Sequence, residues 1–175
     1  MKLIRCHILG IFLISSLGFS TQVFFSPNGG ARAELVRLIQ QSSANIDIAI
    51  YSFTSKELGL AVSAAAKSGR KVRVLADRDQ NKGKSSVIPW ISKYVEVRIL
   101  PEPGVRGIMH DKFMLIGSRI LTTGSYNWTN NAEYFNQENL LVITDTEMIK
   151  AYHREFEKLW SQANPYKAYD NDPSF

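Results

Sequence analysis

Cysteine is nearly missing from this chain. The only one is Cys6, inside the first twenty residues, so nothing after that point can form a disulfide, and no cysteine pair or cysteine–histidine set exists to hold a structural zinc. Carboxylates are present but scattered. Asp47, Asp77 and Asp79 lie near the ends of predicted strands, and they do not form a cluster with His110. A two-metal hydrolytic site needs several converging carboxylates, so the expectation is metal-independent chemistry with no cofactor. The apolar run Ile8–Leu17 falls short of the ~20 residues that span a bilayer. No amphipathic membrane helix is evident, no helix resembles one that reads DNA bases, and no internal repeat appears. Histidine is scarce: after the first twenty residues only His110 and His153 occur.

What remains is an ordinary globular composition. Hydrophobic residues make up 45% and charged residues 21% of 175, enough for one domain with a real core. The formal charge is +5. The first twenty residues read as an export signal: Lys2 and Arg5 form a positive start, Ile8–Leu17 is mostly apolar, and Gly18 and Ser20 suit cleavage near Ser20–Thr21. The expected location is therefore periplasmic or secreted, with no membrane contact once the signal is removed; an uncleaved anchor is the alternative. Without Lys2 and Arg5, 19 of the 21 bases face 16 acids, a bias of +3. That permits a polyanionic partner but does not name one.

Periodicity divides the rest. Val23–Phe25 reads as a strand, Arg32–Gln41 as a helix, and Ile46–Tyr51 as a buried strand interrupted by Asp47. Ser55–Ala66 is an Ala-rich helix with Ser55 as N-cap and Gly69 as stop, followed by a strand at Lys71–Leu75. Strand, helix, strand with short joints is a βαβ unit. Ser86–Ser92 reads as a short helix and Val95–Leu100 as a strand. Thr129–Asn136 reads as loop, Leu140–Ile143 as a strand, and Thr146–Trp160 as a helix. The expected fold is α/β, with a mixed, largely parallel central sheet flanked by helices. One domain is expected over residues 21–163, with a loose tail over 164–175.

The chemistry concentrates in His110–Asn127, HDKFMLIGSRILTTGSYN. Alternate residues of a strand share a face, so His110 and Lys112 project together, a nitrogen base beside a fixed cation. Phe113–Ile116 and Ile120–Thr122 read as two short strands joined by a turn at Gly117-Ser118. Gly124-Ser125 offers backbone N–H groups and a hydroxyl, and Asn127 an amide. Such parts grip a phosphate and include one group able to attack or move a proton. His153, beside Arg154 and Glu155, reads as a surface residue.

These residues carry a resemblance. HxK followed by GSxN resembles the signature of the phospholipase D superfamily. Ala49–Ser55, the Asp77–Ser86 segment DRDQNKGKSS, GSYNWT and Gln137-Glu138-Asn139 resemble the small bacterial endonucleases of that superfamily, in order from about Val23 to Trp160. The departure is Gly117, which stands where the family motif has an Asp that supports the motif without touching phosphate.

The resemblance implies a phosphohistidine mechanism. One His110 attacks phosphorus, while a second protonates the leaving oxygen and then activates water. Lys112 and Asn127 would bind the non-bridging oxygens, Ser125 would add a hydrogen bond, and Glu138 would hold a histidine ring in the right tautomer. Arg78, Lys82 and Lys84 would form a basic lip for a phosphate backbone; without the resemblance that segment is a solvated loop. Many members carry the motif twice and this chain carries it once, so the second histidine is expected from another copy in a symmetric homodimer. The expected activity is endonucleolytic cleavage of DNA, extending to RNA, with little sequence preference and contacts mainly to phosphates. The alternatives are a lipid phosphodiesterase acting on phosphatidyl or cardiolipin headgroups, and a nucleic-acid-binding protein whose site has decayed.

Overall fold

The fold comes from a computed structural model, which describes residues 21–102 and 104–167. The expected export signal and residues 168–175 of the expected tail lie outside the described residues.

Eight strands form a single sheet: β1 (Thr21–Ser26), β2 (Ile46–Ile50), β3 (Val72–Asp77), β4 (Glu96–Leu100), β5 (Lys112–Ile116), β6 (Ile120–Gly124), β7 (Glu138–Ile143) and β8 (Asn164–Pro165). Their spatial order is β1-β7-β6-β5-β2-β3-β4-β8. The expected mixed sheet flanked by helices is present, but its parallel part is small. Only β2–β3 and β3–β4 pair in parallel; the other five neighbours are antiparallel. The two parallel pairs need helical crossovers, while β5, β6 and β7 follow one another through shorter returns.

The helices are α1 (Ala31–Gln41), α2 (Lys56–Lys67), α3 (Ile88–Ile91), α4 (Asn130–Tyr134) and α5 (Thr146–Gln162). One core lies between the sheet and α1, α2 and α3, built on Ile46, Ile48 and Ile50 of β2 and their neighbours. The other lies under α5, where Phe113, Leu115 and Leu121 meet Ile149, Phe156 and Trp160. Both faces of β2 are covered, which is why it reads as a continuous apolar run. Its exception, Asp47, is paired: Arg73 donates to both carboxylate oxygens at 2.7 and 2.9 Å and packs over the Phe156 ring at 4.8 Å. Ser55 caps α2 as expected, accepting from the Leu58 N–H at 3.4 Å.

Three expectations change. Thr129–Asn136 is not all loop, because Thr129 caps α4 by accepting from the Ala132 N–H at 3.0 Å. Asn164 and Pro165, expected in a loose tail, pair with β4, and the Tyr166 N–H reaches the Val97 carbonyl at 2.9 Å. His153 is half-buried and not simply on the surface; its Nε2 lies 2.9 Å from the Gly117 carbonyl oxygen.

Candidate functional site

One end of the sheet collects most of the predicted residues. In antiparallel order, β7 starts at Glu138, β6 ends at Gly124, β5 starts at Lys112 and β2 ends at Ile50, whose register partner is Lys112. Parallel to β2, β3 ends at Asp77 and β4 at Leu100. His110 lies two residues before β5, Ser125 and Asn127 lie just after β6, and Glu138 opens β7. Loops at the carboxyl ends of parallel strands are where α/β sheets place ligands.

The local geometry explains how each side chain is held. His110 is exposed, and its ring meets that of Tyr51 edge to face at 4.5 Å. Lys112 donates from Nζ to the His110 carbonyl at 2.7 Å and sits 5.0 Å from the centre of the same Tyr51 ring. Burial pushes the Lys112 ammonium below its ordinary pKa, against the opposing pull of Asp111 and Glu138. Asn127 accepts the Ser52 N–H on Oδ1 at 3.3 Å, which leaves its Nδ2 group as a donor. Ser125 accepts the Asn139 N–H on Oγ at 3.1 Å and donates its own N–H to Asn139, so its hydroxyl hydrogen is free to donate.

Glycine is required at 124. With φ at +153°, a Cβ there would lie 2.1 Å from the Asn139 carbonyl oxygen, so a side chain would push β6 off β7 just before Ser125.

Glu138 is half-buried and accepts from Asn136 Nδ2 at 3.0 Å, rather than from the ring of the same chain's His110. Its charge opposes the downward shift that burial imposes on Lys112. The basic segment is more neutralised than composition suggests. Arg78 bonds Asp79 at 3.1 and 2.9 Å and the Glu102 carbonyl at 2.7 Å, and Lys82 pairs with Asp79 at 3.1 Å. Those bonds, from Arg78 first and then Lys82, hold the Asp79 carboxyl down at about 2. Lys84 is exposed.

Gly117 is elsewhere. It turns the hairpin at the opposite end of β5, about 16 Å from Lys112 at ~3.3 Å per residue. Sequence reasoning missed Tyr51, Asp77, Asn81 and Asn139. Asn81 is 2% exposed and ties the Tyr51 and Asp77 carbonyls together through Nδ2, both at 2.9 Å. Asp77, Asn81 and Asn139 act largely on backbone groups, which leave no mark in residue-type patterns, while Tyr51 acts through its ring.

A cavity of about 500 Å³ adjoins His110, lined by Leu100, Val105, Ile108, Met109 and Leu159 together with the charged Glu102, Arg106 and Asp111. Among the described residues, no three of His, Cys, Asp and Glu group as metal ligands would, and no helix is long and apolar enough to cross a membrane.

A mixed open sheet between helices, with a loop histidine two residues before a strand-opening lysine among neighbouring strand ends, defines an α/β protein with a site at one end of the sheet. Comparison with known proteins then places the chain. Residues 35–160 match the family model described as "Cardiolipin synthase, PLD-like domain", and the chain belongs to the phospholipase D superfamily. It is 37% identical over 143 residues to mitochondrial cardiolipin hydrolase of Homo sapiens, covering 81% of this chain and 56% of that one. The chain thus spans little more than half the length of that relative. It is 30% identical to a phospholipase D of Rickettsia prowazekii, over 82% of this chain and 70% of the relative. Among solved structures, Nuc of Salmonella typhimurium, a phospholipase D family member, superposes with a TM-score of 0.79 at 29% identity, covering 86% of this chain and 99% of Nuc. NucT of Helicobacter pylori gives 0.80 at 31%, covering 85% and 100%.

Proposed function

We propose that this chain is a phosphodiesterase that cleaves nucleic-acid backbones, DNA foremost, through a phosphohistidine. The observation that carries this reading is the convergence of His110, Lys112, Ser125 and Asn127 on adjoining strand ends, with the donors of Lys112, Ser125 and Asn127 available. An imidazole nitrogen of His110 attacks phosphorus and forms a P–N bond as the P–O bond to the leaving group breaks. The leaving oxygen takes a proton from a second histidine, the His110 of another copy. Water then attacks phosphorus, the P–N bond breaks, and the second histidine recovers a proton. Lys112 and the Asn127 Nδ2 group bind the non-bridging oxygens where charge develops. Glu138 Oε1 is taken by Asn136, and Oε2 remains for a histidine ring. Two observations support a nuclease over a lipid enzyme. The basic segment 78–84 stands at the same sheet end, and the match to Nuc and NucT runs over essentially their whole length.

A second reading, hydrolysis of cardiolipin or phosphatidyl headgroups, is favoured by the 37% identity to mitochondrial cardiolipin hydrolase and by one feature of the structure. The cavity beside His110 is mostly apolar despite Glu102, Arg106 and Asp111, and Val105 and Ile108 in its lining are 51% and 58% exposed. The deciding experiment incubates the purified protein with plasmid DNA, RNA and cardiolipin-containing vesicles, each in excess EDTA, with His110→Ala as control. The expected result is plasmid cleavage that survives EDTA and is lost in the control. Turnover of lipid alone would establish the second reading. Loss in EDTA that magnesium restores would overturn the metal-independent mechanism.

A further inference from the structure

His110 stands at the end of an exposed loop, yet a nucleophile must be held to a fraction of an ångström. Gly104, Val105, Arg106, Gly107 and Ile108, which lead up to it, are all exposed, and the next anchored residue is Met109, 5% exposed. The anchor is a carboxylate. Asp77, the last residue of β3, is 1% exposed. Its Oδ2 accepts the Met109 N–H at 2.9 Å, while its Oδ1 accepts the N–H groups of Asp79 at 3.0 Å and Gln80 at 2.9 Å.

We propose that Asp77 is a positioning residue for His110: one buried carboxylate ties the backbone before the histidine to the backbone of the basic segment that would receive the phosphate chain. This rests on the reading that His110 attacks phosphorus.

The Oδ1 bonds alone are a familiar device, an aspartate closing its own turn two and three residues on. A turn needs only one acceptor oxygen, which asparagine or serine would supply. The Oδ2 bond reaches 32 residues away, and only a carboxylate presents acceptors on both oxygens. The residue after Asp77 works on the same loop. The Arg78 N–H donates to the Leu100 carbonyl and its Nη1 to the Glu102 carbonyl, both at 2.7 Å. The loop is thus held at its start by Arg78 and at its end by Asp77. Tyr51 completes the arrangement by packing against the imidazole itself at 4.5 Å. Attachment of substrate along 78–84 therefore bears on the same carboxylate that sets the height of His110.

Two variants separate positioning from folding. Asp77→Asn keeps size and one acceptor but turns an amide donor toward an N–H. An ester in place of the Ile108–Met109 amide removes the Met109 donor and leaves Asp77 intact. In both, kcat on an oligonucleotide falls about 100-fold, the scale of an ångström misplacement. KM stays within about threefold, because uniform binding is untouched. The ring resonances of His110, followed by NMR without substrate, shift and broaden in both. If Asp77→Asn does not fold, the ester variant decides. Retention of kcat in the ester variant, with His110 resonances unchanged, would overturn the proposal. A wild-type protein that cleaves no phosphodiester would refute the phosphohistidine reading instead, and the His110 resonances would still test the anchor.

Discussion

Lys112 is the cation held against His110, and its depressed pKa has a direction that can be tested. Burial disfavours the ammonium, so the folded protein loses this charge at a lower pH than an ordinary lysine would, at 10.5. If Lys112 neutralises the phosphate, cleavage declines on the alkaline side below that value. Lys112→Arg keeps a charge that does not titrate there, so the decline disappears while the rate itself drops, since a planar fork replaces a compact ammonium. A rate profile with the same alkaline limb in the arginine variant would assign the limb to another group. Gly117 is the second residue to probe. Its φ is +50° and a Cβ would meet the Ala44 Cβ at 3.0 Å. Gly117→Asp is expected to lower stability by about 1 kcal/mol, from the left-handed backbone and the close contact. Cleavage per folded molecule stays within about tenfold, roughly 1.4 kcal/mol in barrier. Thermal unfolding and single-turnover rates measured together check both halves. An inactive wild type that this change switches on would instead establish the decayed-site alternative.

At the scale of elements, the basic segment after β3 is a partly cancelled charge. Asp79 neutralises one of Arg78, Lys82 and Lys84 and stays ionised at any working pH. Asp79→Asn is therefore expected to tighten nucleic-acid binding and steepen its salt dependence, with the slope of log K against log salt growing by about 1. Lys84→Ala should do the reverse by a similar amount. Anisotropy titrations between about 50 and 200 mM salt measure both. Equal slopes in all three proteins would place the phosphate chain elsewhere. Elements also show what sequence could and could not reveal. The strands and helices with clean apolar periods, such as β2, α2 and α5, are readable from their own residues. Helix α4 is not: its segment TNNAEY is polar, and it is held by groups far away, with Arg32 donating to Asn130 Oδ1 at 3.0 Å and the Arg32 N–H reaching Glu133 at 3.3 Å. The βαβ unit was readable, but the antiparallel pairing of β2 with β5 joins residues some 65 positions apart and has no local signature. Likewise His110, Lys112, Ser125 and Asn127 stood out by type and spacing, whereas Asp77 and Asn81 hold backbone that any residue could have supplied.

For the whole molecule the question is stoichiometry. The proposed chemistry needs two histidines at one phosphorus, and after residue 20 each chain has only His110 and His153. His153 contacts the Gly117 carbonyl, at the far end of β5 from Lys112, so it cannot serve as the second. A His110→Ala subunit should fold and pair normally, since the ring it loses is exposed. Mixed and re-equilibrated with wild type, it should silence its partner, and activity should follow the square of the wild-type fraction. Linear dependence, with subunit exchange shown by recovering mixed dimers, would reject the shared site.

The hairpin of β5 and β6 has one further consequence, which concerns how such proteins are found. Its two ends serve different masters: one presents His110 and Lys112, and the other docks against Asn45 and His153 through Gly117. A search pattern that demands an acid at the turn is scoring how a hairpin seats on the loop before β2 and on α5. This chain has glycine at that turn, so a pattern that weights the open end, where His110 and Lys112 stand, and leaves the turn free is the one its sequence satisfies.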